Sequence, residues 1–257
     1  MERFFRLAAT AILVFSLAPL VSHGSASSPE RRMTAVPRLM LWAWERPEDM
    51  RFLDPERAGV AFLTGTARLT RGGLDFRPRL QPLRVSSRMK LVAVIRIETT
   101  PDALLDASQA GKIAAEIVRA GALPQVVAVQ IDFDATQSER PFYRELLREL
   151  RKQLPAPTPI SITALASWCM GDDWMTGLPI DEAVPMLFRM GVGQSEVSSW
   201  IGSGRDFRQA ECRDSLGIST DEPWKVLPSG RRVYAFSPSP WTERSLASLH
   251  WEMHSWQ

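Results

Sequence analysis

The chain has 257 residues, 45% hydrophobic and 23% charged, which is enough material for one large core or two small ones. Lysine and arginine number 31 against 29 acids, a formal net charge of +2 at pH 7, so the concentrated basic surface of a nucleic-acid binder is excluded. Short runs such as Arg31-Arg32 and Arg231-Arg232 read as solvated surface.

The N-terminus carries the order of a secretory signal. Glu2-Arg3-Phe4-Phe5-Arg6 is a basic opening, Leu7 to Val21 is almost wholly apolar, and Gly24-Ser25-Ala26 offers the small residues a signal peptidase requires. The apolar run falls short of the roughly 20 residues of a membrane span, and Pro19 interrupts it, although an uncleaved N-terminal anchor is the alternative. No cysteine follows the run, which argues against lipoprotein processing. Residues 1–26 are therefore expected to be a signal peptide, 27–37 a flexible lead-in and 38–257 a single barrel domain with no membrane span, in a periplasmic or secreted protein. In that oxidising setting Cys169 and Cys212 can pair as a disulfide; two free thiols are the alternative, and the spacing lacks the CxxC pattern of a metal site.

The mature sequence alternates short apolar runs with longer amphipathic ones, the rhythm of βα units. Eight strands are expected, at Leu39–Trp44, Gly59–Leu63, Leu91–Ile97, Val126–Phe133, Ile160–Ala166, Ala183–Phe188, Leu216–Ser219 and Arg232–Phe236. Helices are expected at Pro101–Ala120, with an apolar stripe that includes Leu104, Leu105, Ile113 and Ile117, and at Arg140–Leu154, with Phe142, Leu146, Leu147 and Leu150 on one face. Gly121 and Pro155 supply their stop signals. Leu69–Ser87 and Gly191–Arg213 read as long loops carrying short helices. Neither glycine-rich phosphate loop pattern is present, so a nucleotide-binding sheet lacks support. The α/β class with eight strands points to a closed (β/α)8 TIM-type barrel, lean against the typical length of about 250 residues.

Strand periodicity locates candidate chemistry. From Val127 to Asp134 the odd positions are all large and apolar, while the even ones run Ala128, Gln130, Asp132, Asp134. Side chains alternate across a strand, so the even set should face the barrel axis, and Arg96 and Glu98 should do so on the preceding strand. Polarity rises toward the C-terminal ends, where active sites of such barrels sit. Asp132 and Asp134 would lie about 7 Å apart along the backbone, and mutual repulsion in a partly buried mouth raises one pKa, as a general acid requires. A buried Arg–Asp network that merely satisfies polar groups is the alternative.

Trp42, Trp44 and Glu45 end the first strand, and Trp168, Trp174 and Trp241 follow other strand ends. Indole faces stack on the apolar faces of sugar rings, and neighbouring carboxylates accept hydroxyl hydrogen bonds, so a carbohydrate ligand is the expected partner; packing of loops onto the barrel is the alternative for each tryptophan. Arg189 lies at the catalytic end of its strand and can bind a carboxylate or help orient an acid; Asp221 and Glu222 follow the seventh strand and qualify as candidates by position, while Asp181 and Glu182 lie at the opposite end and read as structural. His23 falls in the signal, and His250 and His254 lie in the C-terminal helix, so neither a Ser–His–Asp triad nor a histidine metal site is expected, and no cofactor is implied.

Taken in order, Leu41-Trp42-Ala43-Trp44-Glu45-Arg46-Pro47, Gly59-Val60-Ala61-Phe62-Leu63, Val129-Gln130-Ile131-Asp132-Phe133-Asp134-Ala135, Ala164-Leu165-Ala166-Ser167-Trp168-Cys169 and Val184-Pro185-Met186-Leu187-Phe188-Arg189-Met190-Gly191 resemble the domain of unknown function 3142 family over nearly the whole mature chain. The resemblance implies a glycoside-hydrolase-like barrel and carries no established activity with it. The fourth-strand motif also resembles that of the family 18 chitinases, whose strand ends in an Asp-x-x-Asp-x-Asp-x-Glu series. Aligned on Asp132 and Asp134, the first acidic position is Val129 and the proton-donating glutamate is Thr136, so the chitinase route lacks its acid here. Hydrolysis would then draw an acid from another strand, with Glu45, Glu98 and Glu222 as options. A non-catalytic carbohydrate-binding barrel and an envelope scaffold protein are the competing functions.

Overall fold

In the computed structural model, which describes residues 32–255, the expected strands form and close on themselves. Eight of them, β1 (Leu39–Ala43), β3 (Ala58–Thr70), β6 (Leu91–Thr99), β7 (Val126–Asp132), β8 (Ile160–Leu165), β9 (Glu182–Met186), β10 (Ser215–Ser219) and β11 (Arg232–Phe236), are parallel and hydrogen-bonded in that order, and β11 pairs back onto β1. This is the closed parallel ring of a (β/α)8 TIM-type barrel. The signal peptide expected at residues 1–26 lies outside the described residues. Among the described residues no helix is long and apolar enough to cross a membrane.

Alternation divides the apolar residues into two clusters. Met40, Trp42, Ala61, Val92, Val94, Ala128, Val184 and Tyr234 fill the lumen. Their sequence neighbours, such as Leu39, Leu41, Val60, Ala93, Ile95, Val129 and Ile131, face outward into the larger core beneath the helices. Room for the Trp42 indole is made by Gly217, where an added Cβ would stand 3.0 Å from Trp42 Cη2 and 3.2 Å from the Pro185 carbonyl. The last residues of the expected lead-in, 32–37, are packed rather than loose: Met33 and Val36 are buried and join the lumen cluster.

The lumen also holds a polar column. Trp42 Nε1 donates to Gln130 Oε1 at 2.8 Å, Gln130 Nε2 to Ser161 Oγ at 3.0 Å, and Ser161 Oγ to Glu182 Oε2 at 3.1 Å. Tyr234 OH donates to the same Glu182 oxygen at 2.9 Å, and Arg232 forms an ion pair with Glu182. Arg232 donates further to the carbonyls of Pro37, Met33 and Val36, which anchors the packed segment 32–37 to the barrel floor. Each polar side chain of this column thus finds a partner in the low-dielectric interior. Glu182 and Asp181, which accepts from Arg151 and from the Ile160 amide, are structural in this arrangement.

Helical cover is uneven. α1 (Ala107–Gly121) links β6 to β7, and α2 (Arg140–Gln153) links β7 to β8. α3 (Ala166–Gly171) follows β8, α4 (Gln194–Gly202) precedes β10, and α5 (Glu243–Ser255) follows β11. The first helix starts later than its stripe implied, because Asp106 accepts from the Gln109 amide at 2.9 Å and caps it there, leaving Leu104 exposed in the preceding turn. Gly191–Arg213 is a loop with short helices, as expected. Leu69–Ser87 is not: β3 runs on past the barrel rim and turns at Gly73 (φ 106°) into the antiparallel β4 (Gly73–Pro78), and β5 (Leu83–Arg84) then pairs with β2 (Glu48–Asp49). Alternation across Ala67-Arg68-Leu69 opposite Leu74-Asp75-Phe76 is a strand signal that the polar residues between them obscured. Cys169 and Cys212 are disulfide-bonded and tie α3 to the loop before β10.

Candidate active site

The inward row of β7 ends at Asp132, with Asp134 just beyond the strand. The parallel register sets Arg96 of β6 directly beside Asp132, and Thr163 of β8 closes the other side, its Oγ1 donating to Asp132 Oδ1 at 2.8 Å. Only 12% of the Asp132 side chain is exposed. Arg96 Nη1 lies 3.9 Å from Asp132 Oδ2, whereas Arg96 Nε lies 3.1 Å from Glu98 Oε1, so the guanidinium is shared and its closer partner is Glu98.

That geometry leaves the Asp132 charge under-compensated. Burial pushes its pKa up to about 6, with the neighbouring carboxylates of Asp134 and Glu98 pushing the same way, while the Thr163 hydrogen bond and Arg96 pull it down. The Asp134 carboxyl is also raised by desolvation in the mouth and held back by Arg96. A buried acid that binds a proton near neutrality, beside a more exposed one, is the pairing that separates acid and base roles.

These groups form one flank of a cleft of about 400 Å³ at the C-terminal rim. Its floor and opposite wall are apolar and aromatic: Trp42, Trp44, Met186, Phe188 and Phe236. Phe188 and Phe236 stack in parallel, with centroids 5.6 Å apart and an interplanar angle of 1°. Arg189 stands at the lip with its guanidinium 5.0 Å from the Phe236 ring centroid. Its backbone is in the left-handed region (φ 52°), which a non-glycine residue adopts only when its surroundings impose it; here the Glu222 carboxylate accepts the Arg189 amide at 3.0 Å, and Asp221 lies 3.6 Å from the guanidinium. Asp221 and Glu222 therefore serve Arg189 and do not line the cleft.

The remaining expected residues divide. Trp44 is half-buried in the cleft wall, and Trp42 is a buried floor residue held by Gln130. Glu45 and Glu98 are exposed and border a side groove with Trp44, Arg68, Arg77 and Arg96 rather than the aromatic cleft itself. Two tryptophans expected to hold substrate do not reach it. Trp168 is buried in the outer core, edge-to-face on Trp174 with centroids 4.9 Å apart, because the chain turns helical at Ala166 and ends the strand alternation. Trp241 is buried behind the first strand, where its Nε1 donates to the Trp42 carbonyl at 2.9 Å. Residues the sequence reading passed over are Thr163, Phe188 and Phe236. The first had a signal, since Ser161 and Thr163 are alternate polar positions in an otherwise apolar strand. Among the described residues no group of three or more His, Cys, Asp or Glu side chains is placed to hold a metal.

A closed parallel barrel with paired acids and an aromatic cleft at its C-terminal rim is the class of molecule these observations define. Residues 87–185, which carry Arg96, Asp132, Asp134 and Thr163, match the family model described as Domain of unknown function (DUF3142), the family that the sequence resembles. A search of curated proteins returned no match. Among solved structures, the crystal structure of the Bacillus cereus spore cortex-lytic enzyme SleL is similar, with 16% identity and a TM-score of 0.45, over 72% of this chain and 51% of that one. The chain spans about half the length of that protein.

Proposed function

We propose that the rim cleft binds an envelope or extracellular polysaccharide and hydrolyses a glycosidic bond in it, in an exported protein. The observation that carries this reading is Asp132: a carboxyl with its pKa raised to about 6, set in the flank of an aromatic-walled cleft. The Phe188–Phe236 stack and Trp44 offer apolar faces to sugar rings. Asp132 delivers its proton to the leaving oxygen, Asp134 supplies the carboxylate that activates water or stabilises the developing positive charge, and the deeper burial of Asp132 separates the two roles. Thr163 fixes the orientation of the Asp132 carboxyl through its 2.8 Å hydrogen bond.

A second reading, a carbohydrate-binding barrel without turnover, is favoured by Thr136. At the position of the chitinase glutamate this residue is spent on local structure: its amide and Oγ1 donate to Glu139 Oε2 at 2.7 and 2.6 Å, at the start of α2. A polysaccharide panel titrated by tryptophan fluorescence, run beside a reducing-end assay, separates the two. Quenching or enhancement together with new reducing ends is the expected result. Binding with no new reducing ends would favour the second reading, and no binding to any glycan would end both.

A further inference from the structure

The cleft does not stop at its own walls. On the side of α3 and α4 it shares Ser167, Gly193 and Val197 with a further cavity of about 250 Å³, lined also by Met170, Glu196, Trp200 and Arg208. On the side of β3 it shares Arg96, Asp132 and Asp134 with a groove of about 310 Å³ that reaches Arg68 and Thr99. The three spaces are therefore contiguous, the central cleft joining the other two, with the Asp132 carboxyl at its junction with the β3-side groove.

From this continuity we infer that the ligand is a glycan chain several sugars long, lying across the barrel mouth and cut internally, with a distal subsite at Met170, Trp200 and Arg208. The inference rests on the glycan reading above and extends it. A site that attacked chain ends would need one flank closed, and among the described residues neither flank is. The distal subsite has the make-up of a sugar platform: a half-buried indole, a thioether beside it, and one exposed guanidinium and one exposed carboxylate, Arg208 and Glu196, neither with an ion-pair partner among the described residues. Two guanidinium groups already border the Trp200 indole, Arg205 at 3.8 Å and Arg208 at 4.9 Å from its ring centroid, and Arg208 is the one that lines the subsite.

The Cys169–Cys212 disulfide holds this subsite together. It joins α3, which supplies Ser167 and Met170, to the segment that carries Arg208, whose amide donates to the Cys169 carbonyl at 2.9 Å. The cleft shares only Ser167, Gly193 and Val197 with that subsite, while its acids and the Phe188–Phe236 stack stand at the ends of barrel strands, outside the disulfide-tied segments. Reduction should therefore loosen the distal subsite and leave the centre in place.

The test uses two length series from dimer to hexamer, chitooligosaccharides and β-1,4-glucan oligosaccharides, titrated into the mature protein. In a series that binds, affinity is expected to climb with length, by about tenfold or more between dimer and hexamer, as one aromatic contact is added. Arg208→Ala and Trp200→Ala should each flatten that climb and leave dimer affinity unchanged, and dithiothreitol should do the same to the wild type. Arg208 is exposed, so its variant keeps the test valid should Trp200→Ala fold poorly. Wild-type affinity independent of length, or a climb that survives both Arg208→Ala and reduction, would overturn the inference while leaving the central glycan site standing. Absence of binding in both series would remove the glycan reading and this inference with it.

Discussion

Asp132→Asn is expected to lower turnover by at least about a hundredfold, the range of a lost general acid, and at the same time to stabilise the protein above pH 7. The two effects have one cause. In the folded state the Asp132 carboxyl binds its proton more tightly than in the unfolded chain, with a pKa of about 6 against an ordinary 3.8. Its favourable contribution is therefore complete below about pH 4 and is lost as pH climbs through about 6. A shift of that size corresponds to about 3 kcal/mol between the two limits. Asparagine carries no charge and its Oδ1 still accepts from Thr163, so it escapes the penalty. Denaturant melts at pH 8 should show the variant above the wild type, with the difference shrinking toward zero at pH 4. An equal loss of turnover in a variant that is destabilised at pH 8 would mean that Asp132 is a packing residue.

The second large effect lies at the other end of the barrel. Glu182 is 1% exposed and compensates Arg232 while accepting from Ser161 and Tyr234. Glu182→Gln leaves the guanidinium buried without its anion, at a cost of about 3–5 kcal/mol, whereas a Glu182→Gln, Arg232→Met double variant should recover most of that loss. Turnover at a temperature where the single variant remains folded should be unchanged, since the pair sits at the N-terminal end of the strands and the cleft at the C-terminal end. Guanidinium melts of the three proteins check this. A double variant no more stable than the single one would show that the hydrogen bonds to Met33, Val36 and Pro37, and not the charge pair, carry the floor.

The contrast between those two acids shows what sequence could and could not convey. Strand periodicity is a local property, so the eight strands and the inward row of Gln130, Asp132 and Asp134 were legible from side-chain type alone. The exposure of Leu104 was not, because a single cap at Asp106 overrode the apolar stripe before it. The hairpin at Gly73 was hidden for a related reason: β4 stands largely exposed at the rim, and Arg68 and Arg77 interrupt the two strands where a buried strand would carry valines. Tryptophan placement failed at Trp168 and Trp241 because proximity to a strand end in sequence says nothing about which way a helix or loop turns the indole. Phe188 and Phe236, two aromatics at the ends of separate strands, meet only once the barrel closes, and no local pattern announces such a pair.

Carboxyl-carbon NMR, with the Asp132 resonance assigned by its loss in Asp132→Asn, tests the central claim most directly. A titration of the folded protein should show that resonance moving with a midpoint near pH 6, set apart from the exposed aspartates. A midpoint near 4, the ordinary aspartate value, would mean that the carboxyl is fully solvated or fully paired and holds no proton to give.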